Sequence, residues 1–167
     1  MFDPRAITII SGGQTGADRA ALDFAIEYGM PHGGWCPRGR IAEDGRISSR
    51  YALRETPSRR YSQRTEWNVR DSDATVVFTI APATSGGTSL TLACARRLGK
   101  PALHLSRDAL AATHGDAESA AAAASQLLAL LNEYDVRALN VAGPRGSQEP
   151  EIANFVSSVL QAVFAAC

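Results

Sequence analysis

Short apolar runs rich in β-branched residues alternate with helix-period patterns along this chain, and this alternation constrains the fold more than any other feature. Buried strands are predicted at 6–10, 74–80 and 138–142, with shorter ones at 33–36 and 102–105. Apolar residues at helical spacing predict helices at 17–28, 62–70, after Thr88 as far as Leu98, 116–134 and 152–164. The alternation predicts a three-layer α/β fold around a mainly parallel sheet of about five strands.

The last helix has the cleanest period, with apolar residues repeating at i, i+3, i+4, i+7 and i+8 from Ile152. Ser147 is predicted to cap this helix, with Pro150 in its first turn.

Length and charge exclude several classes of protein. The chain has 167 residues, which fits one domain over 1–167. Lys plus Arg and Asp plus Glu both number 17, a balance that argues against a general nucleic-acid binder. No apolar run approaches ~18 residues, so no membrane span is predicted. We also see no secretory signal at the N-terminus, and we expect a cytoplasmic protein.

Positive charge is concentrated in one irregular segment, 37–70, which interrupts the strand–helix alternation. Between Arg38 and Arg70 there are nine arginines against four carboxylates. An insertion of this length in a compact domain is usually functional or mobile, and its charge favours a small anionic ligand over a polymer. We expect it to lie over the ligand site. On its predicted helix, Arg64 and Asn68 share one face, which could point at the ligand, while Trp67 would face the core.

The cysteines indicate neither a disulfide framework nor a metal site. Cys36, Cys94 and Cys167 are odd in number, and no pair has CxxC spacing. The three histidines show no ligand spacing with them, so no metal ligand is predicted.

Three glycine-bearing loops each follow a predicted strand and precede a predicted helix, at 11–16, 85–88 and 143–147. In open parallel sheets, ligands bind outside the carboxyl ends of the strands, where helix N-termini favour anions. Any strand-to-helix turn can use glycine, but three such loops at one sheet edge favour a ligand site. Neither the Walker A pattern nor GxGxxG is present, which disfavours a P-loop ATPase or an NAD dehydrogenase.

The loop sequences also carry a family resemblance. Residues 11–23, SGGQTGADRAALD, resemble the opening signature of the putative molybdenum carrier family, described as circularly permuted relatives of a bacterial Rossmann-like protein. The similarity spans nearly the whole chain and continues in GGWCPRGR at 33–40, AEDG at 42–45, RTEWNVRDSD at 64–73, SGGT at 85–88 and NVAGPR at 140–145.

The resemblance implies a Rossmann-like fold and a phosphorylated ligand. The wider superfamily includes lysine-decarboxylase-like phosphoribohydrolases, whose PGGxGTxxE loop holds phosphate with its glycines and Thr and uses its Glu in catalysis. Residues 85–91 match the Gly-Gly-Thr part, but no carboxylate stands where that Glu would be. The resemblance therefore implies phosphate binding more directly than hydrolysis.

The candidate site residues come from these loops and from the insertion. The predicted ligand-binding residues are Gly12, Gly13, Gln14, Thr15, Arg38, Arg64, Asn68, Ser85, Gly86, Gly87, Thr88, Gly143 and Arg145. Glu43 and Asp44 are candidates for a general base, although such a pair more often offsets neighbouring arginines. Thr15 and Thr88 could cap helices, and Arg145 could be a solvated loop residue.

We therefore expect a homo-oligomeric protein that binds a nucleotide or a molybdenum cofactor by its phosphate. One alternative is a nucleoside-monophosphate phosphoribohydrolase that uses Glu43 or Asp44. Another is a regulatory module that senses a nucleotide.

Overall fold

The computed structural model describes residues 6–165, so Cys167 lies outside the described residues. In chain order, its strands are β1 (Thr8–Ile10), β2 (His32–Gly33), β3 (Trp35–Cys36), β4 (Ile41–Ala42), β5 (Gly45–Arg46), β6 (Arg54–Glu55), β7 (Ala74–Thr79), β8 (Ala102–Ser106) and β9 (Ala138–Ala142). Its α-helices are α1 (Ala17–Glu27), α2 (Tyr61–Arg70), α3 (Gly86–Arg97), α4 (Arg107–His114), α5 (Ser119–Glu133) and α6 (Ile152–Phe164).

The central sheet has five parallel strands in the order β2-β1-β9-β7-β8. All six residues of β7 are buried, as its apolar β-branched run predicts for a strand covered on both faces. Helices α1, α5 and α6 pack together on one face of the sheet, and α2 packs against α3 on the other. This is the expected three-layer Rossmann-like sandwich.

The strand order has a simple relation to the dinucleotide-binding sheet. If the chain is read from β9 and its ends are joined, the five strands follow the order 3-2-1-4-5. That is the order of the first five strands in a Rossmann sheet, in which ligands bind where the order reverses. The reversal here lies between β9 and β7, so this topology predicts a crevice at their carboxyl ends.

The largest core lies between the sheet and the α1, α5 and α6 layer, and it includes Ile9, Phe78, Leu127, Leu139 and Leu160. Phe78 packs edge-on against Phe155 with ring centres 5.8 Å apart. Within residues 6–165, no helix is both long and apolar enough to cross a membrane.

Residues 37–60, which we call the cover segment, pack over α1 and the 11–16 loop. Ile47, Tyr51 and Leu53 form a separate buried cluster with Leu22 of α1. Arg40 organises the segment from within, because its guanidinium donates to four backbone carbonyl oxygens, those of Ile47, Ser48, Tyr51 and Leu53, at 2.7–3.0 Å.

Several local predictions were wrong. Helix α4 was not expected; it begins where Ser106 Oγ accepts from the Ala109 N–H. The predicted 116–134 helix begins with a 3₁₀ turn, and α5 starts at Ser119. The predicted strand at 33–36 is divided between β2 in the main sheet and β3, which pairs with β6.

Two side-chain predictions also need correction. Helix α6 begins at Ile152 without a side-chain cap, and Ser147 donates its hydroxyl to Glu43 instead. Trp67 does not reach the core; it is half-buried and packs edge-on against Trp35, with ring centres 4.7 Å apart.

Candidate functional site

A cleft of about 180 Å³ opens at the carboxyl edge of the sheet, at the reversal between β9 and β7. Its walls come from the 11–16 loop, the start of α1, α2, the N-terminal half of α3 and the loop after β9. The lining residues are Gln14, Asp18, Tyr61, Ser62, Arg64, Thr65, Gly86, Gly87, Thr88, Leu90, Thr91, Ala142, Gly143, Pro144, Arg145 and Gln148.

The N-terminus of α3 forms one wall. Ser85 precedes the helix in an extended conformation and makes no side-chain cap. Gly86 has φ +51°, a left-handed conformation that glycine tolerates. The first N–H groups of a helix have no partner within it, and they carry the positive end of its dipole. Gly86 and Gly87 present these groups at an exposed edge of the cleft, which suits an anion.

A buried ion pair forms the inner end of the cleft. Arg64 Nη1 lies 3.0 Å from Asp18 Oδ2, and the Asp18 side chain is only 3% exposed. Burial raises the pKa of Asp18, while Arg64 and the Gln14 N–H oppose this by favouring the carboxylate. The pair leaves Arg64 little net charge for a ligand. Gly12 makes the pair possible, because a Cβ there would lie on the Arg64 guanidinium.

The charge of Arg145 is not offset in the same way. Its guanidinium lies 5.2 Å from the centre of the Tyr61 ring, while Arg64 lies 5.7 Å from the same ring. Among residues 6–165, no carboxylate forms a salt bridge with Arg145. A guanidinium placed on an aromatic ring in a cleft wall can bind a carboxylate or phosphate with two parallel hydrogen bonds.

Gln14 is 5% exposed, and its amide group has a defined orientation. Its Oε1 accepts from the Thr15 N–H at 3.0 Å and from the Glu43 N–H at 2.9 Å. Its Nε2 is buried and has no hydrogen-bond partner among residues 6–165. The Nε of Arg64, which also lines the cleft, is buried and likewise has no partner in the described part of the chain.

The two carboxylates predicted as candidate bases hold the cover segment to the glycine loops. Glu43 accepts hydrogen bonds from Thr15 Oγ1, from Ser147 Oγ at 2.6 Å and from the Ser147 N–H at 3.2 Å. Asp44 pairs with Arg19 at 2.5 Å. These partners lower the pKa of both carboxyl groups, and neither group lines the cleft.

Seven of the thirteen predicted ligand-binding residues line this cleft, namely Gln14, Arg64, Gly86, Gly87, Thr88, Gly143 and Arg145. The other six lie elsewhere. Gly12 and Gly13 pack against Arg64 and against Leu53 and Ile47, while Thr15 joins Glu43. Arg38 and Ser85 are exposed, and the Asn68 amide is bonded to the backbone of Trp35 at 2.7 and 3.0 Å.

Sequence reasoning did not include Tyr61, Ser62, Thr65, Thr91 and Gln148 in the site. The helical period of α2 could have indicated Tyr61 and Thr65. Tyr61 lies three residues before Arg64 and therefore on the same face, and Thr65 lies four residues after Tyr61. Within the described part of the chain, no three His, Cys, Asp or Glu side chains are grouped so that they could hold a metal ion.

Comparison with known proteins agrees with this architecture. A family model described as the circularly permutated YpsA SLOG family matches residues 9–164. The fold is similar to the crystal structure of a putative molybdenum carrier protein from Syntrophus aciditrophicus SB, with a TM-score of 0.88 and 43% sequence identity. That similarity covers 95% of this chain and 96% of the other. No curated protein matches the sequence significantly.

Proposed function

Because the chain belongs to the circularly permuted YpsA SLOG family, we propose that its cleft binds a small phosphorylated ligand, a nucleotide or a molybdopterin-type cofactor. One observation carries the proposal: the α3 N-terminus and the guanidinium of Arg145, which forms no salt bridge among residues 6–165, share a cleft at the strand-order reversal. Both features favour an anion, and a phosphate suits the bidentate donor geometry of Arg145.

The proposed pose puts the phosphate against Gly86, Gly87 and Thr88, with Arg145 beside it and Gln14 along the opposite wall. Pockets for drug-sized ligands have volumes of about 300–1,000 Å³. A cleft of about 180 Å³ therefore encloses a phosphate and its nearest atoms, and the ring system of the ligand would extend through the open mouth.

The name of the similar Syntrophus protein, a putative molybdenum carrier, motivates the molybdopterin arm of the proposal. In this chain the donors of the cleft are N–H and hydroxyl groups, which suit the phosphate of such a cofactor or an oxyanion. We propose the same cleft for the molybdenum-related ligand and for the nucleotide, so one binding assay tests both ligands.

The hydrolase alternative rests on Glu43 or Asp44, and the structure offers no observation that favours it. Both carboxylates are engaged in holding the cover segment and lie outside the cleft lining. The sensing alternative needs a second state of the protein. Our proposal therefore stays with binding in a cytoplasmic protein that self-associates, and light scattering tests the oligomeric state.

The binding proposal is tested by titrating the full chain with AMP, a pterin phosphate and inorganic phosphate. We expect AMP or the pterin phosphate to bind and to raise the midpoint of thermal unfolding. Arg145→Ala should weaken binding about tenfold or more, because it removes a charge-assisted contact.

Arg38→Ala is the matched control, since it removes an exposed arginine that lies outside the cleft. We expect it to leave binding unchanged. Absence of binding by all three probes would overturn the proposal. Equal losses in both variants would mean that general positive charge, rather than the cleft, attracts the ligand.

A further inference from the structure

We infer that Gln14 is the specificity-determining residue of the cleft, and that it selects ligands whose inner end presents acceptor oxygens, as an oxyanion does. The inference rests on the proposed function and deepens it. It concerns the group that enters the cleft first, whether that group belongs to a nucleotide, a cofactor or a free anion.

The first step is the orientation of the Gln14 amide. Side-chain amides can turn over to exchange their oxygen and nitrogen, but two backbone N–H groups point at one end of this one, from Thr15 and from Glu43. Only an oxygen can accept both, so Oε1 occupies that end. The amino group is therefore the other, unbonded end of this cleft-lining side chain.

The second step is the unmet hydrogen-bonding capacity of the cleft wall. Three buried side-chain donors have no hydrogen-bond partner among residues 6–165: Gln14 Nε2 and Arg64 Nε belong to residues that line the cleft, and Arg19 Nε does not. Buried polar groups in native proteins are almost always hydrogen-bonded, so two unpaired atoms in one wall indicate a ligand that completes them. Both atoms are donors, and the complementary group must supply acceptors.

The third step concerns which acceptor fits. Arg64 is already paired with Asp18, so the inner end offers hydrogen bonds more than net charge. An amine or another donor-bearing group would leave the Gln14 and Arg64 donors without a hydrogen-bond acceptor. Buried donors that stay unpaired oppose binding. A phosphate or another oxyanion presents mainly acceptors, and the N–H groups of the exposed residues Gly86 and Gly87 can bind its remaining oxygens.

The cover segment takes part in this selection. One of the two N–H groups that orient Gln14 comes from Glu43, which lies in the cover segment and is also bonded to Thr15 and Ser147. If the cover segment moved, Gln14 Oε1 would lose one of its two hydrogen bonds. With the segment in place, both hydrogen bonds orient the Gln14 amino group before a ligand binds.

The test compares Gln14→Glu with Gln148→Glu in the full-length protein, by calorimetric titration with AMP, inorganic phosphate and molybdate. Glutamate at position 14 keeps an oxygen for the Thr15 and Glu43 N–H groups but replaces the donor with an acceptor. Gln148 lies in the same cleft wall but is exposed, so its variant adds the same charge without touching the donor. We expect at least tenfold weaker binding in Gln14→Glu than in Gln148→Glu.

Each outcome bears on a different statement. If the unmodified protein binds neither these three probes nor the pterin phosphate, the proposed function fails. If it binds and the two variants lose affinity equally, the proposed function stands and the role of Gln14 is overturned. Thermal unfolding without ligand shows whether Gln14→Glu folds. Should it not fold, Gln14→Met removes the donor without adding charge, and binding equal to that of the unmodified protein would refute the inference.

Discussion

Several glycines in the three strand-to-helix loops leave room for other parts of the protein to pack closely. Gly12 leaves room for the Arg64 guanidinium, and Gly143 leaves room for the Phe78 carbonyl and Ala17. Gly87, in contrast, has no heavy atom within 4 Å of where a Cβ would stand. The glycines at the start of α3 are therefore free to admit a ligand, whereas Gly12 and Gly143 are not.

Gly12→Ala should destabilise the fold through the buried ion pair. The added methyl group displaces Arg64, and Asp18 is left as a buried carboxylate without its partner. Breaking such a pair costs about 3 kcal/mol of the free energy of unfolding. Denaturant titration measures the loss.

Gly87→Ala is the control for that experiment. A methyl group at Gly87 enters open space at the start of a helix, where alanine is favoured by up to about 1 kcal/mol. We expect stability to be unchanged or slightly higher. If both variants lose the same stability, the steric argument at Gly12 is wrong.

The sequence predicted these residues as members of a ligand site but could not show what each one contacts. Gly12 and Arg64 are 52 positions apart, and Glu43 and Ser147 are 104 apart. Local patterns carry no information on such pairs, because they form only when the elements pack. Asp18 lies in the 11–23 motif and Arg64 was predicted as a ligand-binding residue, but the ion pair between them was not predicted.

Helices and strands were predicted best where the hydrophobic pattern is long and regular. Strand β7 and helix α6 follow their patterns closely. Helix α4 was missed because it is only eight residues long and buries one residue, Leu110, so its pattern is too short to predict a helix. The cover segment has no period, because hydrogen bonds from Arg40 to four carbonyls shape it.

The attachment of the cover segment should depend on pH through Glu43. Hydrogen bonds from Ser147 and Thr15 hold the pKa of this carboxyl below its ordinary value of 4.5. A carboxyl group whose pKa is lowered by folding stabilises the protein above its unfolded pKa, and this contribution is lost as the pH falls through the folded pKa. The segment should therefore loosen below about pH 4.5 and stay attached at neutral pH.

Amide hydrogen exchange of Ser147, whose N–H donates to Glu43, reports this attachment directly. Its protection should fall on acidification in the unmodified protein. In Glu43→Gln, which cannot titrate, protection should be low throughout and show little pH dependence beyond the intrinsic exchange rate. Equal pH profiles for the two proteins would contradict the assignment.

At the scale of the whole molecule, the strand order was beyond local prediction. The alternation of strands and helices indicates a parallel sheet, but β1 and β9 pair across more than a hundred residues. Only the assembled sheet places the reversal between β9 and β7, and that reversal locates the cleft. The strand order becomes that of a Rossmann sheet when the chain is read from β9. A circularly permuted variant that begins before β9 can therefore test whether the site depends on the strand order or on the position of the chain ends.

A variant that begins at Asp135, with the original ends joined by a Gly/Ser linker, should keep both the fold and the ligand site. Asp135 lies in an exposed turn before β9, so the new ends fall outside the core. Near the end of α6, the Phe164 ring lies 6.1 Å from the ring of Phe24 in α1, the helix that follows β1. We expect all strand pairs and layers to survive this rearrangement. The entropic cost of closing the new loop changes only slowly with linker length.

We expect this permuted protein to unfold within about 2 kcal/mol of the original and to bind the same probe. A second permuted protein, opened at Ala83 in the loop between β7 and α3, is the informative comparison. It keeps the same strand pairs but frees the chain next to the α3 N-terminus, which forms one wall of the cleft. Binding should persist in the first protein and weaken in the second. Loss of binding in both, with folding intact, would mean that the site needs the original ends and does not depend on the strand-order reversal alone.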